Sequence, residues 1–251
     1  MNIHSIRSIL TALLLVVVAE AGAVSLREAD SAYVGGDYRR AASLYEQVAK
    51  EGVSASLYYN LGNSYYRCEE YTRAILNYER ALLLAPGDAD IKYNLQMAQA
   101  KTVDKIVPES EMFFITWIRS VETLMSADGW AWLSVATLLL CALLWFVYLF
   151  ASRVALRKVG FFVGLLCLVV FAVEVIFAFR LSGRLDRRDT AIVMSASASV
   201  KSAPSVDGTE VFILHEGTKV RLLDESMTEW CEIRVADGKQ GWIMKRQIEN
   251  I

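Results

Sequence analysis

Histidine is almost absent from this chain: its 251 residues include two, His4 and His215. Neither stands in a motif with a nucleophile, and no pair of carboxylates stands in a catalytic motif, so we expect no catalytic site. An excess of charge of one sign is missing too, since the formal net charge is −2. A general affinity for nucleic acid is therefore not expected.

Cysteine is also scarce, and its four residues show neither CxxC nor metal-ligand spacing. This excludes a disulfide framework and a zinc site, and we predict no metal and no cofactor. Cys141 and Cys167 lie inside long apolar runs. A disulfide between Cys68 and Cys231 is left open, although single buried cysteines usually act as small apolar residues.

Two stretches lack charge almost completely. Residues 130–150 carry none, and residues 159–180 carry Glu174 and a terminal Arg180. Each is about 20 residues long, enough to cross a bilayer core of roughly 30 Å as a helix. The linker at 151–158 is too short for a domain, so we predict a transmembrane hairpin. Whatever precedes and follows this hairpin then lies on the same side of the membrane.

Glu174 is the one acid within these runs. Counted from residue 159, it lies about 22 Å along the helix and so about 7 Å from the end of the span. At that depth the carboxylate can reach the membrane interface. The alternative is a contact with a partner helix, since acids inside membranes are often paired or functional.

The N-terminus predicts on which side of the membrane the segments before and after the hairpin lie. Residues 1–23 combine Arg7, an apolar core and small-residue cleavage sites, which is typical of a signal peptide. An uncleaved anchor is the alternative, and both place the next segment outside the cytoplasm. The basic loop 151–158 agrees, because positive loops stay cytoplasmic. Four arginines after the second span favour the opposite orientation: Arg180, Arg184, Arg187 and Arg188. We base the predicted orientation on the signal peptide.

Residues 24–106 contain an internal repeat of 33 residues. Each unit has the pattern of two amphipathic helices, which must stack on a neighbour to bury their apolar faces. A third helix, 89–105, caps the stack. Four pairs of positions follow the offset of 33: Tyr38 and Tyr71, Ala41 and Ala74, Tyr45 and Tyr78, Val48 and Ala81.

The second unit resembles a tetratricopeptide repeat, on Leu61, Gly62, Tyr65, Ala74, Tyr78, Ala81 and Pro86. That resemblance implies a groove for an extended peptide, lined by the first helix of each unit. The alternative is that the tyrosines only pack helices together. Tyr59 and Asp90 stand where a carboxylate clamp has cations, so we do not expect recognition of a C-terminal carboxylate. The groove residues implied are Tyr59, Asn63, Tyr66, Arg67 and Asn94.

Residues 107–129 form a connector with apolar residues at helical spacing. We predict an amphipathic helix on the membrane surface, with a helix packed on the repeat stack as the alternative.

In the tail, 181–251, a linker leads into short strands, and Asp237-Gly238 is a hairpin turn signal. The stretches 200–204, 216–220 and 237–242 resemble a bacterial SH3-like domain. Members of that family bind cell-wall peptides or join proteins. We expect Trp230 and Trp242 to fill the barrel core.

The whole order resembles BatE-type proteins of bacterial aerotolerance operons. The fold expected is a multidomain membrane protein: all-α tetratricopeptide repeats, a two-helix transmembrane hairpin and a small all-β SH3-like barrel. The resemblance implies an inner-membrane scaffold with both domains in the periplasm, whose partners are von Willebrand A-domain membrane proteins. The rivals are a peptidoglycan-binding anchor and an envelope enzyme or its accessory factor.

Reporter fusions test the predicted topology. A reporter that is active only in the cytoplasm should be active when fused at Ser152 and inactive when fused at Ile251. An alkaline phosphatase fused at the same positions should show the reverse pattern. Cytoplasmic activity at Ile251 would invert the orientation.

Overall fold

A computed structural model describes residues 26–107, 109–110 and 112–251. The predicted signal peptide, residues 1–23, lies outside the described residues. The described chain divides into two compact units. One contains the helical repeats, residues 89–109 and the whole tail from Thr190, and the other contains the long apolar helices.

The repeats are built from helix pairs, as predicted. Helix α1 occupies residues 26–34, and then come α2 (Tyr38–Glu51), α3 (Ala55–Arg67), α4 (Tyr71–Leu84) and α5 (Ala89–Gln99). Side chains start two of them: Asp37 accepts from the Arg40 amide, and Ser54 accepts from the Leu57 amide. These N-caps satisfy amide groups that the first helical turn leaves unpaired.

The two repeats share their contacts as well as their residue types. The hydroxyl of Tyr45 donates to Asp30, and that of Tyr78 donates to Asn63 at 2.7 Å. Both bonds join residues 15 positions apart, and the two pairs are themselves 33 apart. Helices α3 and α4 touch closely, since a Cβ at Gly62 would lie 2.6 Å from the Tyr78 ring. The internal repeat is therefore a repeat of structure.

The tail forms one antiparallel sheet of seven strands in the order β3-β2-β6-β5-β4-β1-β7. Leu214 of β3 belongs to the hydrophobic core of the domain and Ile248 of β7 packs against the same core, so the sheet curls around it. Gly238 makes the predicted turn between β5 and β6, with φ +87°. The strands are β1 (Thr190–Val193), β2 (Ser197–Lys201), β3 (Glu210–His215), β4 (Lys219–Asp224), β5 (Trp230–Arg234), β6 (Gln240–Met244) and β7 (Ile248–Asn250).

The long apolar helices are α7 (Ala127–Phe150) and α8 (Val154–Arg187). They are longer than the predicted spans 130–150 and 159–180, because helical hydrogen bonding continues through polar residues at both ends of α8. The predicted loop 151–158 shortens to residues 151–153. Small residues let the helices approach: a Cβ at Gly160 would lie 2.8 Å from the Leu144 carbonyl oxygen.

Both helices are long and apolar enough to cross a membrane. Their apolar side chains face outward: Leu139 is 68% exposed, Leu166 is 62% exposed and Phe179 is 75% exposed. A helix in the core of a soluble protein would bury such residues. Length, composition and outward-facing apolar surface together fit a hydrocarbon environment.

Glu174 does not extend toward the end of the span, contrary to our first expectation. Its side chain is buried between the two helices, where Thr137 donates a hydrogen bond of 3.1 Å to its carboxylate. The prediction took the end of the apolar run, residue 180, as the end of the span when it placed Glu174 near the interface. The helix α8 in fact continues to Arg187. Since the hairpin itself covers Glu174, a contact with a partner helix is also not favoured.

The connector contains α6 (Phe113–Glu122). Its apolar side chains, Phe113, Phe114, Trp117 and Ile118 among them, are exposed. This exposure favours the membrane-surface interpretation over packing on the repeat stack.

Candidate functional site

Three of the five predicted groove residues form one hydrogen-bonded cluster. The Asn94 side-chain nitrogen, on α5, donates to the Tyr59 hydroxyl and to the Asn63 side-chain oxygen, both at 2.9 Å. Tyr59 and Asn63 lie one turn apart on α3, and the buried hydroxyl of Tyr78 donates to the same Asn63 oxygen. The cluster therefore ties the second repeat to the capping helix.

The bonds fix what the two asparagines can offer a ligand. The Asn63 oxygen is used twice, and its amide nitrogen donates to no other described residue. The Asn94 nitrogen is likewise used twice, which leaves its oxygen as an acceptor. An extended peptide presents alternating carbonyl and amide groups, so a donor and an acceptor side by side suit its backbone. Burial raises the pKa of Tyr78, which keeps the anchoring hydroxyl protonated.

Tyr66 and Arg67 belong to a different arrangement. Tyr66 packs edge-on against Tyr71, with ring centroids 5.4 Å apart, and the first repeat has the same T-shaped pair in Tyr33 and Tyr38 at 5.3 Å. Arg67 crosses between the repeats, bonding the Tyr38 hydroxyl at 2.6 Å and lying over its ring. Tyr66 therefore packs within the second repeat and Arg67 joins the two repeats, which agrees with the alternative interpretation that the tyrosines pack helices together.

A second surface was not predicted from the sequence: the contact between the repeats and the β domain. We call it the module interface. Its contacts lie within one compact unit. On the helical side it comprises Thr72, Ile75, Glu79, Arg80, Thr102 and Asp104, and on the β side His215, Glu216, Gly217, Thr218, Lys219 and Glu249.

Asp104 is the central residue of the module interface. One carboxylate oxygen accepts the His215 amide at 2.7 Å and the Thr218 hydroxyl at 2.8 Å, while the other meets His215 Nδ1 at 2.7 Å. Partial burial raises the pKa of Asp104, but these hydrogen bonds outweigh that effect and hold it below its ordinary value of 3.8. Asp104 thus holds both His215 and Thr218 of the β domain through its carboxylate.

Residues 100–105 were predicted to belong to the capping helix, which in fact ends at Gln99. The Lys105 ammonium group bonds the last carbonyls, those of Gln99 and Ala100, at 2.9 and 3.1 Å. The chain then leaves the helix and brings Asp104 to the β domain, where Ile106 packs against the hydrophobic core. Helical periodicity did not reveal this exit, because the partner of Asp104 lies 111 residues away.

Charged pairs extend the module interface along α4. Lys219 contacts the buried carboxylate of Glu79 at 2.6 Å. Arg80 bonds Glu249 at 2.9 Å and the Asn250 carbonyl oxygen at 2.7 Å.

Gly217 allows the close approach at the centre of the module interface. Its φ is +85°, and a Cβ there would lie 2.5 Å from the Thr102 methyl group. Backbone conformation and space both require glycine at this position.

The two tryptophans of the β domain occupy different places. Trp230 is buried, at 7% exposed, whereas Trp242 is half-buried. Trp242 alternates along β6 with Gly241 and Ile243, whose buried positions face the core, so its ring lies on the outer face. Trp230 is therefore one of the buried core residues, as expected, whereas Trp242 is not, which contrasts with our expectation. The position of Trp242 in the sheet register, and not its aromatic character, decides on which face of the sheet its ring lies.

The cysteines remain free thiols among the described residues. Cys231 is buried in the β domain, its thiol 3.7 Å from the Ile243 carbonyl oxygen, and burial raises its pKa to about 11. In the described ranges, no group of three or more His, Cys, Asp or Glu side chains could hold a metal ion.

Two parts of the chain are similar to known families. Residues 55–88, which are α3, α4 and the following turn, match the tetratricopeptide repeat. Residues 196–248, which carry β2 to β6 and reach the first residue of β7, match the bacterial SH3 domain. No curated protein is significantly similar to the chain. The matches and the structure confirm the predicted fold class: helical repeats, two long apolar helices and an antiparallel SH3-like domain.

Replacing Asp104 by alanine should loosen the module interface. The His215 amide loses a charged acceptor, so its hydrogen–deuterium exchange in the full chain should accelerate about tenfold or more. Asp207→Ala, at an exposed loop acid of the same domain, is the matched control and should leave that rate unchanged. Equal exchange in both variants would refute the anchoring role.

The lowered pKa of Asp104 makes the attachment of the β domain sensitive to acid. A depressed pKa contributes stability that is present above the ordinary value of 3.8 and is lost as the pH falls through the value in the folded protein. Wild-type protein should therefore release the β domain in an acid step below about pH 4 that Asp104→Ala lacks. Tryptophan fluorescence of the two proteins across this range measures the difference.

Proposed function

We propose that this protein is a membrane-anchored adaptor: α7 and α8 hold it in the bacterial inner membrane, and its repeats and SH3-like domain bind other envelope proteins. The observation that carries the proposal is the module interface. Segments that precede and follow the membrane hairpin fold into one compact unit, which requires that both lie on the same side of the bilayer. A hairpin provides this arrangement.

The partner site of this adaptor is the cluster of Tyr59, Asn63 and Asn94. Its free donor and acceptor suit the backbone of an extended segment from another protein. The module interface fixes the repeats and the SH3-like domain in one body, so a partner held by one module meets the other at high effective concentration.

The finer assignment rests on the order of modules. A signal, a tetratricopeptide pair, a hairpin and an SH3-like tail support a role in an envelope complex linked to aerotolerance, with both modules in the periplasm. The proposed partners are von Willebrand A-domain membrane proteins. We propose no catalytic activity, because the one described imidazole, that of His215, is engaged in the module interface.

Photo-crosslinking in cells tests the partner site. A crosslinking amino acid at Tyr93, which is exposed and adjoins Asn94 on α5, should capture a membrane protein identifiable by mass spectrometry. Asn63→Ala in the same chain should reduce the yield severalfold, since it removes the free donor and one bond to Asn94.

The matched control places the same crosslinker at Gln47, which is exposed on α2. Capture of the same protein with equal yield from Gln47, or of none above background from Tyr93, would argue against the partner site.

A peptidoglycan anchor is the second candidate, and the outward ring of Trp242 favours it. Trp242 shares its face with its register partners Glu232 and Lys201, so an aromatic ring lies beside groups of both charges. If the domain binds wall, the full chain in detergent should sediment with purified sacculi and Trp242→Ala should not. No sedimentation of either chain would exclude this candidate, and retention of the Trp242→Ala variant would exclude Trp242 as the binding residue.

A further inference from the structure

The hairpin carries a charged cluster at its open end, away from the turn at residues 151–153. Glu122, the last residue of α6, is 1% exposed. Its carboxylate lies 2.7 Å from the Arg184 guanidinium and 3.2 Å from that of Arg180, both on α8. The indole of Trp130, on α7, donates to the Glu122 carbonyl oxygen at 2.9 Å. Helices α6, α7 and α8 therefore meet at this point.

The charges of this cluster do not balance. Two guanidinium groups share one carboxylate, so one positive charge is in excess. Arg180 remains 56% exposed and Arg184 38% exposed, although both are ion-paired. Each guanidinium has five N–H donors. Arg180 contacts Glu122 through Nε, and Arg184 contacts it through Nη2. The remaining N–H groups of both arginines make no contact with Glu122.

The cluster lies where the apolar surface of the hairpin ends. Beneath it, Trp130, Phe177 and Leu181 form a buried group. Arg180 directly follows Phe179, an outward apolar side chain, and α6 adds exposed Phe113 and Trp117. In a bilayer this border is the level of the lipid phosphates, and guanidinium groups bind phosphate oxygens in a planar, two-pronged geometry.

We propose that Arg180 and Arg184 bind the phosphodiester headgroup of an anionic phospholipid, whose acyl chains lie along the exposed apolar surface of the hairpin. Glu122 pairs with both guanidinium groups and neutralises one of their two charges, so one positive charge remains for the lipid. The excess positive charge selects lipids with net negative charge over zwitterionic ones. The inference rests on the membrane insertion stated in the proposed function, and adds a lipid specificity to it.

Native mass spectrometry of the full chain, titrated with phosphatidylglycerol and with phosphatidylcholine, measures this preference. Phosphatidylglycerol should bind wild-type protein more tightly, and R180Q/R184Q should weaken its binding about tenfold. R157Q/K158Q removes two cations at the turn end of the hairpin and is the matched control, which should bind as wild type does. E122Q should bind phosphatidylglycerol as tightly as wild type or more tightly, since it raises the excess charge.

Three results would overturn the proposal: equal binding of the two lipids, equal loss in R157Q/K158Q and R180Q/R184Q, or loss in E122Q. Release of the lipid by excess inorganic phosphate would assign the site to free phosphate and overturn it as well. Carbonate extraction of wild-type protein from vesicles separately measures whether the chain stays in the membrane. If the chain stays in the membrane and shows no lipid preference, the headgroup site fails while the adaptor's anchor stands.

Discussion

The anchoring of the β domain by Asp104 is the interaction on which the rest of the unit formed by the repeats and the β domain depends. Asp104 lies before the hairpin and accepts three hydrogen bonds from residues that follow it, two from His215 and one from Thr218. The bonds can form only if the chain returns to the side from which it left. In the proposed membrane-anchored protein, the topology of the hairpin and the folding of this compact unit are therefore one constraint.

The module interface is mostly polar, and this affects how the two modules work together. Glu79 and Lys219 pair across it, and Arg80 reaches Glu249 and the final strand. Contacts of this kind give orientation more than net stability, since each charge also loses hydration. A fixed orientation suits the proposed adaptor, because partners of the two modules would then be presented to each other in a defined geometry.

The hairpin contributes more than two apolar helices. Its buried acid, Glu174, is satisfied in part by Thr137 across the helix pair. At the open end, Glu122 gathers Arg180 and Arg184, two of the four arginines that weigh against the predicted orientation. Their use in a cluster joining α6 to α8 gives them a structural reason that does not depend on which side they face.

Local pattern was enough to predict the helix pairs, the hairpin and the turn at Gly238, since each follows from residues close in sequence. The offset of 33 even predicted which tyrosines are equivalent. It did not identify β1, β3 and β7, because these strands are short or bury few side chains and show no clear alternation. Of the predicted groove residues, Tyr59, Asn63 and Asn94 meet, while Tyr66 and Arg67 serve packing.

What the sequence alone determined is the list of modules and their order, because apolar period and turn chemistry are local properties. What only the tertiary structure decided is how distant residues pair: Asp104 with His215, Glu79 with Lys219, Glu122 with Arg184, Glu174 with Thr137. No spacing rule connects such residues. They meet because each polar group buried by the fold must find a partner, and the partner available depends on which surfaces the packing brings together.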